Sequence, residues 1–239
     1  MKVYLNEITG IADSIVTMYM SKRTWTREKE EYIRNLCDRV LDKHGRLNKL
    51  SNKNDLDEFN ELFSKVLKWG KKHITMLRYI DFSFTVEGLH RAGQDDWDAH
   101  AWRFNNRIIR SSTRLADFNG TEKSSFYEGK VLHIDDLLDM LDIPQEIEKD
   151  GIKYVYSTNG YIREDLKDNK DVKRGLYTLD IPSNFIFKIN LTELAHVIKE
   201  RDKNGGANPE VKEVAETIKT LLYDEHKQFT EELFYEIKN

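Results

Sequence analysis

Two runs of alternating aromatic and polar residues do most to limit what this chain can fold into. In IDFSFTV, residues 80–86, Phe82, Phe84 and Val86 alternate with Asp81, Ser83 and Thr85. In NFIFKIN, residues 184–190, Phe185, Phe187 and Ile189 alternate in the same way. A period of two sends every second side chain to one face, so each run predicts a strand with one buried side. Residues 2–9 alternate enough to predict a third, shorter strand. Gly88 is expected to end the strand that begins at Ile80.

The apolar period elsewhere is that of a helix. Residues 28–41 place Ile33, Leu36, Val40 and Leu41 on one side. After a polar connector, Asp55 is expected to cap a helix carrying Leu56, Phe59, Leu62, Phe63, Val66 and Leu67 and ending near Trp69-Gly70. Asn190, with Glu193 three residues on, predicts a capped helix through Leu194, Val197 and Ile198 to Arg201. Asn208-Pro209-Glu210 sets a cap, a proline at the first helical position and an acid at the positive end of the dipole. The helix that follows shows one apolar stripe from Val211 through Leu222 to Phe229 and Leu233. Residues 119–170 are irregular, with a small helix expected over 134–141 and YVYSTNGYI expected as a hairpin or an extended surface segment. VKRGLYTL, from Val172, is read as helical, with Pro182 as punctuation after it.

Composition narrows the function classes. The 239 residues carry a formal net charge of -4, with 39% hydrophobic and 33% charged residues. That balance argues against a general nucleic-acid binder, and no apolar run is long enough to cross a bilayer. The first residues do not read as a signal peptide. A single cysteine, Cys37, permits neither an intrachain disulfide nor a cysteine metal cluster, so a reducing cytoplasm is the expected compartment. The seven histidines form no recognised ligand spacing, and no metal site is expected. A glycine-rich dinucleotide turn, a P-loop and a G-x-S-x-G elbow are all missing from the sequence.

The remaining chemistry concentrates in WRFNNRIIRSSTRLADF, residues 102–118. Arg103, Arg107, Arg110 and Arg114 are spaced four, three and four apart. In a helix, expected to start around Asp95 and Asp96, they would form one cationic stripe. Guanidinium forks suit phosphate or carboxylate, and Ser111 and Ser112 would complete an oxyanion cradle. The alternative is a solvated face paired with nearby acids.

Four segments, taken in order, resemble the flavin-dependent thymidylate synthase family. His73-Ile74-Thr75, Arg78-Tyr79 and Phe82-Ser83-Phe84 fall in the register of that family's histidine, hydroxyl residue, E-H pair and F-x-F strand. The motif R-H-R-x-x-S-x-N-x-x-S-x-R is similar to residues 102–114, where Ser112 and Arg114 survive. Lys173-Arg174 resembles an A-R pair. The run from Ile189-Asn190 through Leu194, His196 and Glu200-Arg201 to Ala207-Asn208-Pro209-Glu210-Val211 resembles the family's closing pattern. Where the family has R-H-R, this chain has Trp102-Arg103-Phe104. Ile109 replaces the motif asparagine, and Arg78-Tyr79 replaces E-H.

The resemblance implies an α/β (α+β) fold, a central mixed or antiparallel sheet flanked by long helices. It implies one domain over 1–239, with insertions at 47–67 and 119–170, and a homotetramer with sites shared between subunits. It also implies FAD, with NADPH and methylenetetrahydrofolate as co-substrates, acting on a pyrimidine deoxynucleotide, dUMP or dCMP, with no nucleic acid and no membrane. Substrate-binding candidates are Gln94, Arg110, Ser111, Ser112, Arg114, Arg174 and Arg201, with Ser112 and Arg201 as catalytic candidates. Cofactor candidates are His73, Thr75, Arg78, Arg103, Asn190 and His196. A related hydroxymethylase and a noncatalytic nucleotide- or RNA-binding homologue are the alternatives.

Overall fold

The computed structural model describes residues 1–99, 107–112, 130, 132, 137, 140–157, 159–179, 181–202, 208–229 and 231–232. In chain order the elements are strand β1 (Lys2–Thr9), helices α1 (Ile11–Ser21), α2 (Arg27–Val40) and α3 (Lys53–Gly70), a 3-10 turn (Ile74–Tyr79), strand β2 (Asp81–His90), helix α4 (Arg91–Ala99) and strand β3 (Arg107–Arg110). There follow β4 (Glu146–Lys149), β5 (Ile152–Ser157), β6 (Gly160–Arg163), helix α5 (Lys170–Arg174), β7 (Pro182–Asn190), α6 (Leu191–Asp202) and α7 (Pro209–Glu225). Contacts divide the chain into a larger unit, residues 2–86, 93–109 and 185–239, and a smaller one, residues 1, 87–92 and 110–184.

In the larger unit the sheet order is β1-β2-β7-β3. The two alternating runs make its centre, and the predicted alternation holds. Phe82, Phe84, Val86 and Ile189 have no exposed surface, and Phe84 stacks on Phe187 with ring centroids 5.2 Å apart. Trp97 of α4 meets Phe187 edge-on at 5.4 Å, and Phe229 meets Phe82 at 5.2 Å. Burying each such ring contributes about 1.5–3 kcal/mol. Helices α1, α2 and α3 pack on one another, α3 through Phe59, Leu62, Phe63, Val66 and Leu67. The fold is a mixed one, sheets with long flanking helices, as the resemblance implied.

Local chemistry moves several boundaries. The cap of α3 is Asn52, whose Oδ1 accepts the Asp55 N–H at 2.9 Å; Asp55 itself lies in the first turn, paired with Arg39 at 2.9 Å. Strand β2 runs through Gly88, at φ +78, to His90, because the Asn184 side chain accepts the Gly88 N–H at 3.0 Å and replaces a ladder partner. Helix α4 starts at Arg91 rather than near Asp95. Its first N–H groups reach the carbonyls of Ile181 and Leu179, so no capping side chain marks the start. Pro182 opens β7 rather than punctuating the chain before it. Only Lys170–Arg174 is helical where VKRGLYTL was read so. The final stripe is broken: α7 ends at Glu225, His226 leaves the helix, and a short helical turn, Lys227–Phe229, follows.

The smaller unit contains a meander in which β4-β5 and β5-β6 pair antiparallel. Asp150 and Gly151, both at positive φ, form the two-residue hairpin turn between Lys149 and Ile152. YVYSTNGYI is the next hairpin, with Tyr156 opposite Tyr161 and their rings 5.4 Å apart. The small helix expected over 134–141 falls largely outside the described residues.

Candidate active site

The segment from His73 to Tyr79 has its backbone held on three sides. At Gly10, φ +78, an added Cβ would lie 1.8 Å from the Tyr79 carbonyl oxygen, so the turn from β1 into α1 abuts the segment with no room for a side chain. One turn along, the buried Ser14 hydroxyl donates to the Met76 carbonyl at 2.9 Å. From α3, Gly70 lies against Leu77, where a Cβ would come within 2.3 Å of Cδ2. From the start of α6, Leu191 N–H donates to the Ile80 carbonyl at 2.8 Å and the Thr192 hydroxyl to that of Ile74 at 3.5 Å. Met76 and Leu77 anchor the turn in the core.

The polar side chains of this fixed segment face outward. His73, Thr75, Arg78 and Tyr79 are exposed. His73, Thr75, Met76 and Tyr79 line a cavity of about 360 Å³, closed on its other side by Thr17 and Ser21 of α1. Four hydroxyls and an imidazole therefore converge on one hollow with no carboxylate in its lining. Such a donor set suits phosphate oxygens or a polar ring edge. Thr17 and Ser21 were missed in the sequence. Their i, i+4 spacing was the available signal, but the helix that carries it was not read.

The other candidates are distributed as follows. Asn190 is a buried cap of α6, its Oδ1 accepting the Glu193 N–H at 3.0 Å, as its sequence position predicts. His196 lies half-buried farther along α6. Arg201, near the end of α6, is 4% exposed and reaches Asp96 of α4, Nη2 to Oδ1 at 3.0 Å and also to the Asp96 carbonyl. Gln94, fully buried, lies on that same helix α4. Arg201 and the helix of Gln94 are thus brought together.

The arginine stretch is not the expected helix where it is described. Residues 107–110 are strand β3, and a separation of three in a strand puts Arg107 and Arg110 on opposite faces. The single cationic stripe does not form between them. Arg107 pairs with Asp81 at 2.8 Å on an exposed face. The Ser111 hydroxyl and N–H both donate to the Asn184 carbonyl, at 3.0 and 2.8 Å, which ties the end of β3 to β7. Ser112 is exposed and Arg174 ends α5 in the smaller unit. Arg103 and Arg114 lie outside the described residues.

Two other titratable groups are structural. Burial pushes the Cys37 thiol up to about 12, which keeps it protonated and unreactive. His226 is pushed down to about 4 by burial, its Nε2 2.7 Å from the Gly45 carbonyl. Among the described residues no group of histidine, cysteine and acid side chains is placed to hold a metal ion, and no helix is long and apolar enough to cross a membrane.

With this geometry in place, comparison with known proteins gives a consistent result. Two solved structures of flavin dependent thymidylate synthase ThyX from Helicobacter pylori, both with FAD and dUMP, have the same fold. The first aligns with a TM-score of 0.56 at 16% identity, covering 98% of this chain and 100% of that one. The second aligns with a TM-score of 0.56 at 15% identity, covering 98% and 99%. Comparison with curated proteins finds no match. The family model described as thymidylate synthase complementing protein matches residues 12–226, from α1 to the end of α7, and the chain belongs to that family.

Proposed function

We propose that this chain is a flavin-dependent thymidylate synthase, which moves a one-carbon unit from methylenetetrahydrofolate to dUMP and forms dTMP with NADPH as reductant. The observation that carries the reading, beside family membership, is the rigidly held His73–Tyr79 segment with its polar side chains turned into a cavity. FAD fits this donor set. Thr17, Ser21, Thr75 and Tyr79 offer hydroxyls to a diphosphate and His73 a ring N–H, and the N-terminus of α6 borders the segment through Thr192. Arg78 of the same segment and His196 of α6 are further proposed cofactor contacts. Bound there, a flavin supplies hydride transfer.

The chain's own residues supply position. A backbone fixed by Gly10, Ser14 and Thr192 keeps His73 and Thr75 in place before any ligand arrives, which lowers the ordering cost of binding. Arg201, the one guanidinium of α6, is proposed to bind the nucleotide. Its pairing with Asp96 holds the fork in one orientation, and its Nε has no partner among the described residues. Within the smaller unit, Arg110, Ser111, Ser112 and Arg174 are the proposed anion-binding residues, and Arg114 is a further proposed one by its sequence position. The proposed assembly is a homotetramer in the cytoplasm.

The test is product analysis. Purified protein is incubated with FAD, NADPH and methylenetetrahydrofolate, and with dUMP or dCMP. Conversion of dUMP to dTMP is expected. A hydroxymethylated product, or turnover of dCMP alone, would replace this reading with the hydroxymethylase. Light scattering checks the tetramer, and a monomer at micromolar concentration would remove it.

A further inference from the structure

Beside the hydroxyl-lined cavity lies a second hollow, of about 410 Å³, lined by Lys22, Lys65, Lys68, Trp69, Lys72 and His73. Four lysines around one hollow are a marked concentration of positive charge on a chain whose net charge is -4. We propose that this hollow is a binding site for an oligoanion, a ligand or ligand end bearing clustered carboxylates or phosphates.

Its positive charge is only partly neutralised. Lys65 pairs with Glu61 along α3, and Lys68 pairs with Glu232 at 3.2 Å. Lys22 has no acid partner among the described residues. Its ammonium sits 3.7 Å from the centroid of the Trp69 ring, a contact that holds a cation without cancelling its charge. Lys72 is exposed and has no ion-pair partner among the described residues. Two uncompensated ammonium groups match at least two negative charges. Ammonium groups are compact point charges without the planar fork of arginine, so they favour clustered charge over one oriented carboxylate.

The helix ends account for part of the pattern. Lys22 caps the C-terminus of α1 and Lys68 lies in the last turn of α3, where the dipoles favour cations. Dipoles do not require the cations of two helices to share one hollow with an aromatic wall. His73, whose ring lies 5.5 Å from that of Trp69, lines this hollow and the hydroxyl-lined cavity alike. A ligand seated in the cavity can therefore extend an anionic end past His73 to the lysines. Its assignment to a co-substrate rests on the proposed flavin reaction; the anion site itself does not.

The test is calorimetric titration at about 0.15 M salt, where the Debye length of about 8 Å screens diffuse surface attraction. Tripolyphosphate and tri-γ-glutamate are titrated into the wild type, the double variant Lys22→Gln/Lys72→Gln and a control, Lys43→Gln/Lys49→Gln, which removes two exposed lysines elsewhere. Saturable one-to-one binding is expected, weakened at least tenfold in the first variant and unchanged in the control. The tighter of the two probes identifies phosphate or carboxylate as the natural group. No saturable binding, or equal losses in both variants, would overturn the site. Loss of flavin binding with tripolyphosphate binding intact would remove the enzyme reading and leave the anion site standing.

Discussion

His73 and His226 each follow closely on a helix, and each has aromatic rings of α3 within 7 Å, yet the fold uses them in opposite ways. His73 is exposed beside Trp69 and opens onto two hollows. His226 is sealed among Phe59, Phe63 and Phe229, with ring centroids 5.6–6.1 Å away, and its Nε2 meets the Gly45 carbonyl. At His73 the structure buries the backbone around the residue and leaves the side chain free. At His226 it buries the side chain and breaks the helix to do so. A histidine's role is decided by what closes around it, so residue type and position after a helix do not separate a binding group from a core group.

The strongest way to break the His73 arrangement acts at a distance, through Gly10. Gly10→Ala forces a Cβ toward the Tyr79 carbonyl at a left-handed backbone position, and a loss of about 3 kcal/mol or more is expected in chemical denaturation. Flavin affinity should fall with it.

The next effect belongs to His226. Its folded pKa, about 4, lies below the unfolded value near 6.5, so the unfolded state binds more protons between those limits. The contribution is fully present above about pH 6.5. As pH falls from there to about 4, stability should drop by about 3 kcal/mol, and below that the slope from this group ends. His226→Phe should flatten that part of the profile measured by urea unfolding, whereas His73→Ala should leave it in place. An unchanged slope in His226→Phe would mean that carboxylates dominate the acid limb.

Smaller changes sharpen the contrast. Arg201→Ala strips Asp96 of its partner and should cost about 2 kcal/mol in thermal or urea unfolding, with loss of dUMP binding. Ser14→Ala removes one buried hydrogen bond to the Met76 carbonyl and should cost about 1 kcal/mol. Arg107→Ala should cost under about 1 kcal/mol and leave dUMP affinity unchanged in calorimetry, because its partner Asp81 is met on an exposed face.

The sheet was legible because alternation of Phe82, Phe84 and Val86 against polar neighbours has one simple explanation, and the caps Asn190 and Asn208 were legible because they act within three residues. The start of α4 was not, since its first N–H groups are satisfied by carbonyls some 90 residues away in sequence. Strand β3 was misread because the helical spacing of Arg107 and Arg110 gives way when a neighbour, here β7, offers a ladder. Of the residues that line the cavity, His73 and Thr75 were singled out in the sequence. Thr17 and Ser21 escaped because nothing local connects α1 to the His73–Tyr79 segment; that link is made through Gly10 and Ser14 only once the chain has folded.

The central claim is that the His73–Tyr79 cavity holds the flavin, and the direct measurement is fluorescence titration of FAD into the wild type, His73→Ala, Thr75→Ala and His226→Phe proteins at neutral pH. Saturable quenching is expected in the wild type and in His226→Phe, with affinity reduced at least tenfold in His73→Ala and Thr75→Ala, about 1.4 kcal/mol of binding energy at each. Unchanged affinity in both cavity variants, or no quenching in the folded wild type, would contradict the claim.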